Sequence, residues 1–223
     1  MLAESLERIR REIAAAARRA GRDPEAVRLV AVTKTVGVEQ IREALALGLH
    51  DFGENRVQEA LPKVQLFPRE RWHFIGHLQT NKVKKVVGSF VLIHSLDRYS
   101  LAEALQQEGE KRGCLVPALV QVNVSGERSK HGLAPEELAD FLAALRDFPR
   151  IKVEGLMTMA PYTEDPEETR PVFRRLKELQ QEAEARGMAL PHLSMGMSND
   201  FTVAVEEGAT IVRIGSSLFG GAP

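Results

Sequence analysis

The sequence predicts an α/β fold: a single (β/α)8 TIM barrel with an extra N-terminal helix. Three observations lead there. Short apolar, β-branched runs alternate with helical patterns through the chain, and each pair is the material of a parallel β-α-β unit. Eight such pairs fill roughly 200 residues with no linker or low-complexity run, which is the size of a compact barrel. The turn after the first strand reads Thr33-Lys34-Thr35-Val36-Gly37. It lacks the G-x-G-x-x-G of a doubly wound open sheet, the alternative architecture. Residues 1–223 then form one domain.

Residues 2–20 place Leu2, Leu6, Ile9 and Ile13 at helical spacing, and Gly21 stops the helix. Strand 28–33 is apolar on both faces, as strands covered by helices on either side are. A helix at 37–47 closes on Gly48, strand 49–52 follows, and Gly53-Glu54-Asn55 leads into a helix at 55–66. Strand 72–75 precedes a helix at 81–87, and strand 89–94 precedes a helix capped by Asp97 that runs to Arg112. Strand 116–122, loop 123–134 and a helix at 135–147 come next. Strand 151–156 leads to the long helix 166–186, which ends on Gly187. A brief strand at 191–193, a helix at 199–207, strand 210–214 and a final turn at Gly215-Ser216-Ser217 complete the eight units.

Composition narrows the function. With 43% hydrophobic and 27% charged residues the chain is an ordinary soluble globular protein. A formal net charge of −1 makes no case for nucleic acid or an anionic membrane as partner. The lone Cys114 rules out an intrachain disulfide and suits a reducing, cytoplasmic setting. No apolar run approaches the ~20 residues of a membrane helix. Residues 1–19 mix Glu4, Glu7 and Glu12 with arginines, unlike a signal or transit peptide.

In a barrel, chemistry gathers at the C-terminal ends of the strands, and the loops after strands seven and eight often hold a phosphate. Lys34 ends the first strand. It is either a snorkelling side chain or a half-buried amine, nucleophilic enough for a Schiff base. After strand seven comes Ser194-Met195-Gly196-Met197-Ser198-Asn199-Asp200, and after strand eight Arg213-Ile214-Gly215-Ser216-Ser217. Glycines there admit a ligand to the backbone, while hydroxyls and N–H groups suit a phosphate; the plainer role is helix capping. Arg213 requires an acceptor, either a carboxylate such as Glu54 or a ligand. Asn55 stands beside Lys34 as a helix N-cap, a ligand contact or both.

Other features carry less. His73 and His77 lie on a strand and its exit loop with no carboxylate or cysteine to complete a metal site, so no metal is expected. Lys82, Lys84 and Lys85 form a solvated basic face. The polar loop 125–132 after strand five is either a lid or a plain connection.

Six stretches carry a resemblance. They are Ala31-Val32-Thr33-Lys34, Phe52-Gly53-Glu54-Asn55, His73-Phe74-Ile75-Gly76-His77-Leu78-Gln79, Gly155-Leu156-Met157-Thr158-Met159-Ala160-Pro161, Leu193-Ser194-Met195-Gly196-Met197-Ser198 and Arg213-Ile214-Gly215. Over essentially its whole length the chain resembles the YggS/PROSC family of pyridoxal-phosphate-binding proteins, single-domain relatives of the alanine racemase barrel. The resemblance implies a fold-type-III barrel in which Lys34 holds pyridoxal 5′-phosphate as a Schiff base. It also implies that Ser198, Gly215 and Ser216 bind the phosphate, that Arg213 meets the pyridine nitrogen, and that Asn55 belongs to the cofactor-binding set.

Three functions compete. The first is a cytoplasmic, monomeric protein of pyridoxal phosphate homeostasis that buffers the cofactor and delivers it to apo-enzymes, without strong catalysis. The second is an amino-acid racemase, which needs an acid or base on each face of the substrate α-carbon. The third is a Schiff-base lyase or aldolase acting on a phosphorylated metabolite. Tyr99 and Tyr162 are the only tyrosines. Tyr162, at the top of strand six, is the one candidate opposing group, and a surface role suits it better. The homeostasis function is therefore expected.

Overall fold

The structure is a computed structural model and describes residues 1–127 and 130–220. Among these, β1 (Arg28–Val32), β2 (Asp51–Glu54), β3 (Arg71–Phe74), β4 (Leu92–Leu96), β5 (Val116–Gln121), β6 (Ile151–Met157), β7 (His192–Ser194) and β8 (Ile211–Ile214) form a closed barrel in chain order. Each neighbouring pair is parallel, and closure runs from Arg28↔Ile211 to Ala31↔Ile214. The expected (β/α)8 barrel is present.

Helices cover the outside of the barrel: α1 (Leu2–Arg19), α2 (Val38–Ala46), α3 (Val57–Leu66), α4 (Val83–Val86), α5 (Tyr99–Arg112), α6 (Leu138–Ala144), α7 (Arg170–Ala185), α8 (Phe201–Glu206) and α9 (Ser216–Phe219). The extra helix, α1, is amphipathic as predicted, burying Leu2, Leu6, Ile9, Ile13, Ala16 and Ala17. It packs against α8 and α9. There its apolar stripe finds apolar surface, and Arg19 pairs with Glu206 at 2.6 Å. None of the helices among the described residues is long and apolar enough to cross a membrane.

Several boundaries differ from expectation, each for a local reason. Strand four begins at Leu92 rather than Ser89, because Gly88 (φ +82°) turns the chain and Phe90 packs edge-on against Phe74. Strand two extends to Glu54, whose carboxylate is buried and hydrogen-bonded, so Gly53 and Glu54 belong to the strand and not to a turn. The helix after strand four starts at Tyr99, with Arg98 at the N-cap; Asp97 pairs instead with Arg98 at 2.5 Å. The helix after strand two likewise has Arg56, not Asn55, at its N-cap.

Side chains along a strand alternate between lumen and helical layer. Phe52, Trp72, Ile93, Leu193 and Val212 point outward into the main core beneath the helices. Val30, Leu92, Leu119, Met157 and Ile211 form a separate apolar cluster within the lumen. The inward phase also carries Asp51, His73, His94, Ser194 and Arg213, all buried. A barrel interior is ordinarily filled by branched apolar side chains. Here a polar file shares the space.

Glycine is required where β6 meets β7. A Cβ on Gly155 would come within 1.9 Å of the carbonyl oxygen of His192. Gly155→Ala therefore forces these strands apart at a point of strand pairing. We expect a loss of about 2–4 kcal/mol, within the range for strained buried positions. Thermal unfolding followed by circular dichroism would show it as a fall in Tm of roughly 5–15 °C.

Candidate functional site

At the top of β1 the chain leaves the barrel at Val32 and turns through Thr33 and Lys34. Thr33 is fully buried, but Lys34 is exposed. Of the two readings the sequence offers, the exposed lysine is the one present and the half-buried amine is not; Lys34 stands at the barrel mouth. What is buried is the support beneath it. The Glu54 carboxylate accepts from Thr33 Oγ1 at 2.6 Å and from Lys63 Nζ at 2.7 Å, and Lys63 also donates to the Thr33 carbonyl at 2.6 Å. Both bonds to the carboxylate fall on Oε1, while Oε2 is buried without a protein hydrogen-bond partner, and the charge of Lys63 offsets the burial of the carboxylate. This network fixes the turn that presents Lys34. Glu54 is therefore not the partner of Arg213.

Asn55 follows β2 on the same side of the mouth. Its Oδ1 is buried and has no protein hydrogen-bond partner, a condition that buried acceptors rarely keep without a ligand or water. Gly76, at the exit of β3, allows this placement, because a Cβ there would lie 2.2 Å from the Asn55 carbonyl oxygen.

The loops after β7 and β8 come together at the barrel closure. Ser198 Oγ accepts from the backbone N–H of Gly215 at 3.3 Å and of Ser217 at 3.2 Å, and Ser217 Oγ donates to the Ser198 carbonyl at 3.2 Å. Ser216, half-buried, begins α9 between them. The β7 loop is held in turn by Asp200, whose carboxylate accepts from Met197 N–H at 2.6 Å. Burial pushes the Asp200 carboxyl up from its usual range. Gly196 adopts φ +95°, where an added Cβ would meet Ala204 at 2.6 Å. The result is a set of N–H and hydroxyl groups suited to an anion.

Between this cradle and the lumen lies Arg213, 3% exposed. Its Nη1 donates to Ser194 Oγ at 2.5 Å and its Nη2 to the Thr158 carbonyl at 3.0 Å. Burial pushes its pKa down to about 10, offset in part by the charge of Asp200, so it stays a cation at neutral pH. Two of the five N–H groups of the guanidinium are committed by these bonds.

Sequence reasoning missed what lies beneath Arg213. Ser194 Oγ is 2.9 Å from His94 Nδ1, His94 Nε2 is 3.0 Å from His73 Nδ1, and His73 Nε2 is 3.0 Å from the Asp51 carboxylate. Arg71 closes the far end with bonds of 2.9 and 2.5 Å to Asp51. The signal was available: a polar residue at the inward phase of strands two, three, four, seven and eight.

His77 does not join this file. It stacks on His131, with ring centroids 3.9 Å apart and planes at 18°, and its Nδ1 is 3.5 Å from the Asp97 carboxylate. The carboxylate thought to be missing near His77 is therefore present, and the three donors lie within 4.8 Å of one another. Near-parallel rings, however, direct their in-plane lone pairs side by side rather than toward one ion. Tyr99 packs on Phe141, 4.9 Å between centroids, and Tyr162 is 71% exposed. Loop 125–132 includes residues 128 and 129, which lie outside the described residues.

This architecture defines a parallel barrel with an amine at the end of its first strand and an anion cradle at its closure. The model of the alanine racemase N-terminal domain matches residues 5–223. A pyridoxal phosphate homeostasis protein of Aquifex aeolicus is 50% identical over 220 residues, covering 97% of this chain and 96% of that protein. The corresponding protein of Pseudomonas aeruginosa is 43% identical, with coverage of 98% and 95%. The structure of PipY from Synechococcus elongatus with pyridoxal phosphate bound superimposes with a TM-score of 0.85 at 36% identity, covering 99% of this chain and all of that one. Alanine racemase of Clostridium difficile shares the fold at TM-score 0.79 and 15% identity, over 57% of its length. The chain belongs to the alanine racemase N-terminal-domain family and, within it, to the YggS/PROSC group of pyridoxal phosphate homeostasis proteins.

The buried file makes stability depend on pH. Burial first, and then the proximity of two other basic groups, His73 and the Arg213 cation, hold His94 well below the usual histidine value. Burial also lowers His73, against the raising effect of Asp51. For Asp51 burial acts upward, but the hydrogen bonds from Arg71 and His73 prevail and hold the carboxyl well below its usual range. A histidine depressed in the folded state contributes stability that is complete above its unfolded value, about 6.5, and is lost as pH falls below it. We expect urea unfolding to show constant stability from pH 8 to 7. Below pH 6.5 it should decline by up to about 1.4 kcal/mol per unit for each histidine. His94→Gln should make that decline shallower.

Proposed function

We propose that this chain binds pyridoxal 5′-phosphate as a Schiff base on Lys34 and serves its homeostasis, buffering the cofactor and delivering it to apo-enzymes without strong catalysis. The observation that carries this is the convergence of three groups at the barrel closure: the Lys34 turn, the Ser198–Gly215–Ser217 cradle and the buried Arg213 guanidinium. The residues fit the group. When bound, pyridoxal phosphate supplies an aldehyde that condenses with amines and a ring that withdraws electrons from them. Lys34 provides the amine. Ser198, Gly215 and Ser216 hold the phosphate, the backbone N–H groups that now meet Ser198 Oγ serving as donors. Asn55 offers its unpartnered Oδ1.

Arg213 gives the site its chemical bias. It donates an N–H to the ring nitrogen but does not readily surrender a proton, so the nitrogen stays unprotonated and electron withdrawal is weak. The names of the Aquifex and Pseudomonas relatives and the ligand bound to PipY support the same reading. A racemase needs a second acid or base across from the lysine, whereas Tyr99 is packed on Phe141 and Tyr162 is largely exposed. An exposed Lys34 suits a protein that gives its ligand up. We infer a monomer acting in the cytoplasm.

Purified or reconstituted protein should show visible absorbance from covalently held cofactor, trapped on Lys34 by borohydride and located by peptide mass spectrometry. Lys34→Ala should abolish the trapped adduct, and Ser198→Ala should weaken binding by roughly tenfold, the worth of one hydrogen bond to a charged group. No absorbance after reconstitution would overturn the proposal. Racemisation of amino acids well above the rate given by free pyridoxal phosphate would overturn its non-catalytic half.

A further inference from the structure

The file of polar side chains in the lumen has one consistent assignment of protons. The Asp51 carboxylate can only accept, so His73 Nε2 carries the proton in their 3.0 Å bond. His73 is neutral, which leaves Nδ1 as an acceptor, and the 3.0 Å bond to His94 therefore takes its proton from His94 Nε2. His94 Nδ1 is then an acceptor in turn, and Ser194 donates to it across 2.9 Å. Ser194 Oγ, having given its proton, accepts from Arg213 Nη1 at 2.5 Å. Every donor points the same way, from Arg213 down to Asp51. The two charged ends fix the tautomers of both rings and the hydroxyl rotor of Ser194. No member can turn without leaving a buried donor or acceptor unpaired, because His73, His94 and Ser194 are all fully buried.

The file runs from Asp51, the first residue of β2, to Arg213, near the end of β8. Arg213 faces the cofactor, whereas Asp51 and its partner Arg71 lie toward the opposite end of the barrel. A file that served packing alone would be cheaper as apolar side chains, since replacing a buried polar network with matched hydrophobes is often neutral or stabilising. What apolar side chains cannot do is hold a guanidinium in one rotation. The bonds to Ser194 and to the Thr158 carbonyl occupy one N–H on each terminal nitrogen, which sets the plane of the group and the direction of the rest.

We propose that Ser194, His94 and His73 are positioning residues, a directed hydrogen-bond file that aims Arg213 at the ring nitrogen of bound pyridoxal phosphate. The proposal rests on the cofactor assignment made above. Its effect is confined to ligands that have that nitrogen, and this separates it from a scaffolding role.

The test compares pyridoxal phosphate with 1-deazapyridoxal phosphate, in which a C–H replaces the ring nitrogen, on full-length apo-protein. Ser194→Ala should weaken pyridoxal phosphate about tenfold and shift its bound absorbance maximum, as loss of a charge-assisted contact does. Affinity for the deaza analogue should change less than about twofold, within the variation of a contact not made. His94→Leu should reproduce the selective loss. His94→Gln should restore most of the affinity, because its amide offers an oxygen to Ser194 and an N–H to His73. Thermal melts identify any variant that fails to fold, and the remaining variants then carry the comparison. Equal losses for both ligands, or no loss for either, would overturn the proposal while leaving the cofactor assignment standing. Failure of the wild type to bind pyridoxal phosphate would overturn both.

Discussion

Burying a guanidinium at the head of a barrel lumen is the constraint on which much else here depends. Taking such an ion out of water costs several kcal/mol even after relaxation. Arg213 has no carboxylate within hydrogen-bonding contact; its direct partners are a hydroxyl and a carbonyl. Compensation comes from further away. Asp200, in the loop after β7, contributes through its charge. The serine that accepts from Arg213 is itself polarised by His94 and, through His73, by the Asp51 carboxylate. Hydrogen bonds in a low-dielectric interior strengthen one another along such a line. The lumen therefore gives up apolar volume on five strands, and the outward core of Phe52, Trp72, Ile93, Leu193 and Val212 carries the hydrophobic share of stability.

The two halves of the site are built differently. On the β7–β8 side, Ser198 ties the two loops together and Asn199 donates to the Thr163 carbonyl at 2.8 Å, so the β6, β7 and β8 loops are hydrogen-bonded to one another. Gly196 and the Asp200 cap leave that backbone little freedom. On the β1 side rigidity stops one residue short of the amine. Thr33 is locked by Glu54 and Lys63, but Lys34 extends into solvent. The groups proposed for the phosphate and the ring thus lie on hydrogen-bonded elements, whereas Lys34, proposed for the covalent contact, is exposed.

The sequence made the architecture legible because helical and strand periods alternate cleanly and each strand is short and apolar. Lys34, Asn55, Ser198, Arg213, Gly215 and Ser216 all stand at the mouth or the closure, because in a barrel the end of every strand leads to the same face. The errors share one origin. A half-buried Lys34 was one of two readings of its position at a strand end, yet burial there depends on where the loop turns, and β1 stops at Val32. Arg213 was given Glu54 as a possible partner, although Glu54 pairs with Lys63 of α3, which no local pattern ties to it. His73 was weighed with His77 because they are four apart in sequence. Its true partners, Asp51 and His94, lie on the adjoining strands at the same lumen phase. Local spacing identifies a strand, but pairing across a barrel requires the register.

That register also bears on why a shared barrel need not share the chemistry of its catalytic relatives. A carbanion catalyst needs its cofactor ring activated by a proton and a second base held opposite the lysine. In this chain Arg213, the group proposed to face the ring, stays a cation at neutral pH although burial lowers its pKa, and the hydrogen bonds of the file beneath it run from Arg213 toward Asp51. Delivering a proton to the ring nitrogen would mean reversing all of those bonds against a carboxylate held ionised by Arg71 and His73. On the proposed function, the arrangement that fixes Arg213 to recognise a pyridine would also keep that pyridine a poor electron sink. Recognition and weak activation would then follow from one set of hydrogen bonds, as the proposed storage of a reactive aldehyde requires.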